Sequence, residues 1–174
     1  REVVGIVGID ALAGPSEVVV VADATAPAEY VAADLLAQAE HGPGGTAIVV
    51  TWDPDVADAV DAAVGAQLRD MPRAAEIEAT LLAGGRTILV DDAVAAMSVV
   101  NTIAPEHLQL MTARPDSVLP LVRNAGAVFL GPLSPAAVGD YVAGVNHVLP
   151  TARTVRFASA LRVEAFVGGK PRHD

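Results

Sequence analysis

The run Val18-Val19-Val20-Val21-Ala22 constrains this chain more than any other feature, because it is apolar at every position and shows no alternation. A strand with one wet face alternates apolar and polar side chains. An unbroken β-branched run therefore predicts a strand covered on both faces, as in a parallel sheet sandwiched by helices. That strand, from Glu17 to Ala22, is the first of a series: Thr46 to Thr51, Thr87 to Val90 and Ala127 to Leu130 repeat the pattern. The intervening segments, Pro27 to His41, Pro54 to Arg69, Arg73 to Ala83 and Asp92 to Ile103, read as helices. Strands alternating with helices give an α/β fold, a mostly parallel sheet with crossover helices. Gly42-Pro43-Gly44-Gly45 and Gly84-Gly85 stand where helices must stop, and are expected to act as C-terminal caps. From Gly131 onward Gly, Pro, Ser and Asn predict loops and short helices.

Composition narrows the partners. A chain of 174 residues that is 52% hydrophobic is long enough for one domain with a sizeable core. Its 11 Lys and Arg against 21 Asp and Glu leave a formal charge of −10, which argues against a nucleic acid or an anionic membrane as partner. A small molecule or another protein remains. There is no cysteine, so any metal must be held by His, carboxylate or amide groups. No apolar run reaches the ~18 residues of a membrane span, and the basic-then-apolar order of a signal peptide is missing, so the expected location is the cytoplasm.

Four polar clusters interrupt this apolar background. Glu106-His107, within Asn101-Thr102-Ile103-Ala104-Pro105-Glu106-His107-Leu108, sets a carboxylate beside an imidazole; the pair marks either a cleft-facing acid–base site or a solvated turn after a helix ended by Pro105. Gln38 and His41 lie three residues apart near a helix end, where one borderline divalent ion could touch both, or where His41 could simply interact with the last carbonyls. Asp140 follows Gly139 and is either a third, carboxylate ligand or a turn residue, and His147 is either a site histidine or a packing residue. Ser16, in the turn Ala13-Gly14-Pro15-Ser16-Glu17, either binds a polar group of a substrate or satisfies the turn itself. The spaced glycines and Lys of a phosphate-binding loop are not there.

In this order the clusters resemble histidinol dehydrogenase. The resemblance runs through Gly8-Ile9-Asp10, Ala13-Gly14-Pro15-Ser16-Glu17, Ala32 to His41, Ala104-Pro105-Glu106-His107-Leu108, Phe129-Leu130-Gly131-Pro132, Gly139-Asp140-Tyr141 and Asn146 to Thr151, and spans Val7 to Phe166. It implies an NAD-dependent, zinc-containing enzyme that oxidises L-histidinol through L-histidinaldehyde to L-histidine, the last step of histidine biosynthesis. By the same resemblance Gln38, His41 and Asp140 correspond to zinc ligands that also hold substrate. Glu106 corresponds to the residue activating water, His107 to the base, and Ser16 and His147 to substrate contacts. The implied fold is one incomplete Rossmann-like domain: a lead-in over 1–16, the catalytic and zinc domain over 17–151, and a tail over 152–174.

The departures from the family pattern matter too. Family members are much longer, and their dinucleotide-contacting segments lie upstream of anything in this sequence, so no cofactor-binding residue is assigned. Their fourth zinc ligand and a substrate-binding glutamate lie in a C-terminal segment contributed across a dimer, which the ending Gly168 to Asp174 does not resemble; His173 is not assigned that role. Val145, Leu133 and Arg153 stand where the family often has Pro, an aromatic and Gly. The resemblance implies a homodimer and a chain inactive or nearly so by itself. Two other readings stay open: a relative acting on another small polar alcohol such as a sulfonated diol, and a non-catalytic α/β module used for binding or assembly.

Overall fold

The computed structural model describes Ile6 and residues 14–160. The Gly8-Ile9-Asp10 motif, most of the lead-in and the tail beyond Ala160, with His173, lie outside the described residues.

The unbroken valine run forms β1 (Glu17–Ala22), and five of its six residues are buried. It is followed by α1 (Ala28–Ala39), β2 (Thr46–Thr51), α2 (Pro54–Leu68), α3 (Ala74–Gly84) and β3 (Gly85–Leu89). Then come α4 (Ala93–Ile103), β4 (His107–Met111), α5 (Pro115–Val118), β5 (Ala127–Leu130) and α6 (Ala136–Tyr141). All neighbouring strands pair in parallel, in the order β3-β2-β1-β4-β5. That is the strand order of a doubly wound nucleotide-binding fold through its fifth strand. The α/β, parallel, Rossmann-like expectation holds.

Both sheet faces are covered, which is why β1 carries no polar alternation. Val18, Val20 and Ala22 pack with Val31, Leu35, Val56 and Val60 of α1 and α2, whereas Val19 and Val21 pack with Ala96, Met97 and Val100 of α4. Each of the Val, Leu and Met side chains contributes about 1.5–3 kcal/mol by leaving water. Two helix starts are fixed by side chains. Asp53 accepts a hydrogen bond from the Asp55 N–H at 2.9 Å, and Asp92 accepts one from the Ala95 N–H at 2.8 Å.

The glycine reading needs one correction. Gly42, at φ +99°, is a left-handed stop after α1 as expected. Gly84 and Gly85 are not among the left-handed glycines. A Cβ on Gly84 would collide with the Gly45 carbonyl, and one on Gly85 would stand 2.6 Å from the Leu81 oxygen. They are small because backbones cross there.

One strand escaped the sequence reading. β4 begins at His107 and is buried at all five positions, although Asn101 to Leu108 reads as a helix running into a turn. Its place between β1 and β5 puts Glu106-His107 at the amino edge of the sheet, at the switch point of the strand order. Ser16 sits at the same edge, just before β1. Because α1 runs back from the far end of β1, its last turn also returns there.

Candidate active site

Glu106 and His107 are 7% and 5% exposed, which rules out the solvated-turn alternative. They follow the sharp exit from α4 and enter β4, where His107 pairs in register with Val18 of β1 and Ala127 of β5. Glu106 Oε2 accepts from Ser16 Oγ at 2.8 Å and from the Glu17 N–H at 3.1 Å, and lies 3.3 Å from His107 Nδ1. His107 Nδ1 also lies 3.2 Å from the Glu17 carbonyl oxygen. Two acceptors around Nδ1 place the ring proton there and leave Nε2 with a free lone pair, as a base requires. Burial alone would raise the Glu106 carboxyl and lower the His107 imidazole. Their mutual hydrogen bond and attraction, together with the bonds from Ser16 and the Glu17 N–H to Glu106 and with the Glu17 carbonyl and the Asp140 charge near His107, outweigh it, so Glu106 is held below its ordinary value and His107 above.

A cavity of about 310 Å³ opens beside this pair, within the size range of small-ligand sites. Ser16, Gln38, His41, His107 and Asp140 all line it. The sequence has these residues up to 124 positions apart, Ser16 to Asp140, and α1, β4 and α6 bring them to one opening. Glu106 and His147 do not line the cavity: Glu106 meets it through Ser16 and His107, and the His147 ring is largely exposed, with Nδ1 3.0 Å from Asp140 Oδ1. Among the described residues no three His, Cys, Asp or Glu side chains form a metal cluster, so any cation here depends on Gln38.

The donor chemistry around Gln38 suits a cation. Ser16 Oγ lies 2.8 Å from Glu106 Oε2 and 3.2 Å from Gln38 Oε1, yet a hydroxyl has one proton, and the shorter, charge-assisted bond to Glu106 takes it. Gln38 must then turn its amide to donate to the Ser16 oxygen. That places Oε1 where Nε2 stands now, buried and without a hydrogen-bond partner. His41 is prepared in a complementary way. Its Nδ1 lies 3.2 Å from the carbonyls of Ala37 and Gln38, which fixes the proton on Nδ1 and leaves Nε2 to ligate. The helix-end contact that competed with the ligand reading is thus the contact a ligand needs. Asp140, in turn, is braced by His147.

Asp140 required a second correction. It sits inside α6, not in a flexible turn, and Gly139 before it is buried with no left-handed backbone. A Cβ on Gly139 would stand 2.7 Å from the Phe129 ring, so the glycine lets α6 close down on β5. Two further acids escaped the sequence reading. Asp34, one turn before Gln38 on α1, lines the cavity, and burial pushes its carboxyl up to about 6. Glu17 lies behind the pair. The i, i+4, i+7 spacing of Asp34, Gln38 and His41 was the available signal for the first.

The carboxyl edge of the sheet, where doubly wound folds usually bind ligands, is arranged differently. The β1–α1 connection, Asp23-Ala24-Thr25-Ala26-Pro27, has none of the glycines that let a backbone approach a pyrophosphate. Asp23 instead accepts from the Thr25 N–H at 2.9 Å and the Ala113 N–H at 2.8 Å, tying the exits of β1 and β4 together. The turn lacks the glycine fingerprint by which such folds usually hold a pyrophosphate.

Comparison with known proteins gives a consistent result. The family model described as histidinol dehydrogenase matches residues 1–170. A histidinol dehydrogenase of Rhizobium meliloti (strain 1021) is 53% identical over 167 residues, covering 96% of this chain and 38% of the relative. One from Bacillus cereus (strain ATCC 14579) is 49% identical over 167 residues, covering 96% and 39%. The crystal structure of histidinol dehydrogenase from Elizabethkingia anophelis matches with a TM-score of 0.88 at 40% identity, covering 91% of this chain and 36% of that one. The chain thus spans about 38% of the length of the curated relatives it matches.

Proposed function

This chain belongs to the histidinol dehydrogenase family, and on that premise we propose that it is the zinc- and substrate-holding portion of an NAD-dependent enzyme that converts L-histidinol, through L-histidinaldehyde, to L-histidine. One observation carries the reading: Ser16, Gln38, His41, His107 and Asp140 share a single cavity, and Glu106 is hydrogen-bonded to two of them, Ser16 and His107.

Gln38, His41 and Asp140 would hold zinc, which when bound supplies a positive anchor for the substrate. The chain's own residues divide two proton tasks. His107 Nε2 takes the hydroxyl proton as the alcohol carbon gives up its first hydride. Glu106, kept ionised by its hydrogen bonds, takes a proton from the water that adds to the aldehyde carbon, and the resulting hydrate anion gives up the second hydride to become the acid. NAD is the acceptor of both hydrides; its contacts are not assigned to this chain, whose β1–α1 turn lacks the glycine fingerprint of a pyrophosphate site. Ser16 orients Glu106, and His147 braces Asp140. We assign 17–151 to the catalytic and zinc domain, 1–16 to the lead-in and 152–174 to the tail. The assembly we propose is a homodimer in the cytoplasm; among the described residues no helix is long and apolar enough to cross a membrane.

Two measurements test this. Zinc titration of the chain should show binding that His41→Ala weakens by about 100-fold or more, and equal affinity removes the ligand assignment. With the family's remaining segments supplied, NADH formation from L-histidinol should fall about 10²- to 10⁴-fold in His107→Asn, and an unchanged rate removes the base.

A further inference from the structure

We propose that Glu17 is the positioning residue of the Glu106–His107 pair, its carboxylate spanning the backbone of Glu106 and the turn at Ala152. The inference rests on reading that pair as the acid–base centre.

Glu17 engages the pair with its main chain and its side chain at once. Its N–H donates to Glu106 Oε2 and its carbonyl oxygen lies beside His107 Nδ1, as described above. In return the Glu106 N–H donates to Glu17 Oε2 at 3.3 Å. Each glutamate therefore accepts the other's backbone N–H, a reciprocal link between the entries of β1 and β4. The second oxygen, Oε1, accepts the Ala152 N–H at 3.3 Å. The same turn is docked again one residue earlier, where Thr151 Oγ1 accepts the Gly14 N–H at 2.8 Å.

The backbone on both sides of this carboxylate is uphill. Among the described residues the non-glycine positions with positive φ are Ala104 at 54°, Ala152 at 52° and Arg153 at 67°. Ala104 makes the turn that delivers Glu106, and Ala152 is the donor to Glu17. A side chain disfavours the left-handed region, and such residues persist where surrounding bonds over-determine them. Here the Ala152 N–H bonds Glu17 directly, and two residues after Ala104 the Glu106 N–H does the same.

Stability alone does not account for the arrangement. Burial and the Glu106 charge oppose ionisation of Glu17, the Glu106 and Ala152 N–H groups and the His107 charge favour it, and the net effect is to raise its carboxyl above the ordinary value. A second half-buried carboxylate set against the first is a costly way to join two strands. Both carboxylate oxygens of Glu17 are taken by the backbone N–H groups of Glu106 and Ala152, so it acts through Glu106 and His107 and not on a substrate.

The test compares Glu17→Gln and Glu17→Ala with the unsubstituted chain. Glutamine keeps the shape but has one acceptor oxygen, so it can serve only one of the two N–H groups; it also decides the matter if the alanine variant does not fold. Two readouts need no turnover. Amide exchange at Glu106 or Ala152 should rise about tenfold or more, with Val20 and Leu110 unchanged. The downfield resonance of the His107 Nδ1 proton should shift or broaden. In the zinc-loaded, complete enzyme kcat should fall about tenfold or more while KM moves less than about threefold. Unchanged exchange with an unchanged His107 resonance overturns the proposal, as does an active Glu17→Gln enzyme with normal kcat. If the unsubstituted enzyme does not oxidise L-histidinol, the functional reading falls, and the exchange and resonance data judge Glu17 by themselves.

Discussion

Asp34 illustrates how the surroundings of one side chain set its chemistry. Its carboxyl is pushed by burial from an ordinary 3.8 up to about 6. Between those values the folded chain binds more protons than the unfolded chain, so stability falls as pH rises through that window and the loss is complete at pH 7. Because the group is partly exposed, solvent screening reduces the cost to about 1–2 kcal/mol. Asp34→Asn, measured by urea unfolding with zinc removed, should therefore gain that stability at pH 7. The gain should vanish well below the ordinary carboxyl value. Matching stabilities at pH 7 would mean that Asp34 behaves as a solvated carboxylate. Nothing in the residues next to Asp34 in sequence announces this shift, because the burial that raises it comes from packing of distant elements, and Gln109 of β4 opposes it only in part.

At the scale of elements, the site depends on two close approaches that glycine permits, that of α6 to β5 at Gly139 and that of β5 to β4 at Gly126. Gly126 opens β5: its N–H donates to the Pro105 carbonyl at 3.0 Å, and a Cβ there would stand 2.6 Å from the Glu106 oxygen. Gly126→Ala should cost about 1–3 kcal/mol by forcing β5 away from β4. The same shift should disturb Glu106, so the expected result is a lower unfolding midpoint together with a changed His107 resonance. A normal midpoint would show that the β5 entry can yield. β1 and β2 were readable in sequence because residues buried on both faces leave an unbroken apolar run. β4 was not, because His107 and Gln109 interrupt it. The alternation of those two with Leu108 and Leu110 was the signal that a strand lay there. Leu108 and Leu110 face α4, while Met111, on the alternate face with His107 and Gln109, packs with α1.

Over the whole molecule, the site occupies the amino edge of a doubly wound sheet. That position follows from which residues stand at the strand entries, not from the strand order, which is the usual one. Around it the surface is unusually apolar for a chain of charge −10: Leu133, Tyr141, Val142 and Phe157 are each at least 80% exposed, and the edge strand β3 is mostly uncovered. Large exposed apolar side chains and an open strand edge favour association. Sedimentation well above micromolar concentration should show self-association that Leu133→Glu combined with Phe157→Glu weakens. A single monomeric species under those conditions counts against the dimer.

The sequence by itself determined the parallel α/β architecture, because burial on both faces of a strand is written directly in consecutive residues, and it singled out Gln38, His41, Glu106, His107 and Asp140 as polar groups that packing does not require. Only the tertiary structure decided that these groups meet, that Gly139 and Gly84 serve close approach and not a turn, and that Glu17 links the entries of β1 and β4. Local pattern reports which face a residue must present. It carries no information about which distant backbone will stand opposite, and the hydrogen bonds that hold the Glu106–His107 pair join positions 89 and 90 residues apart.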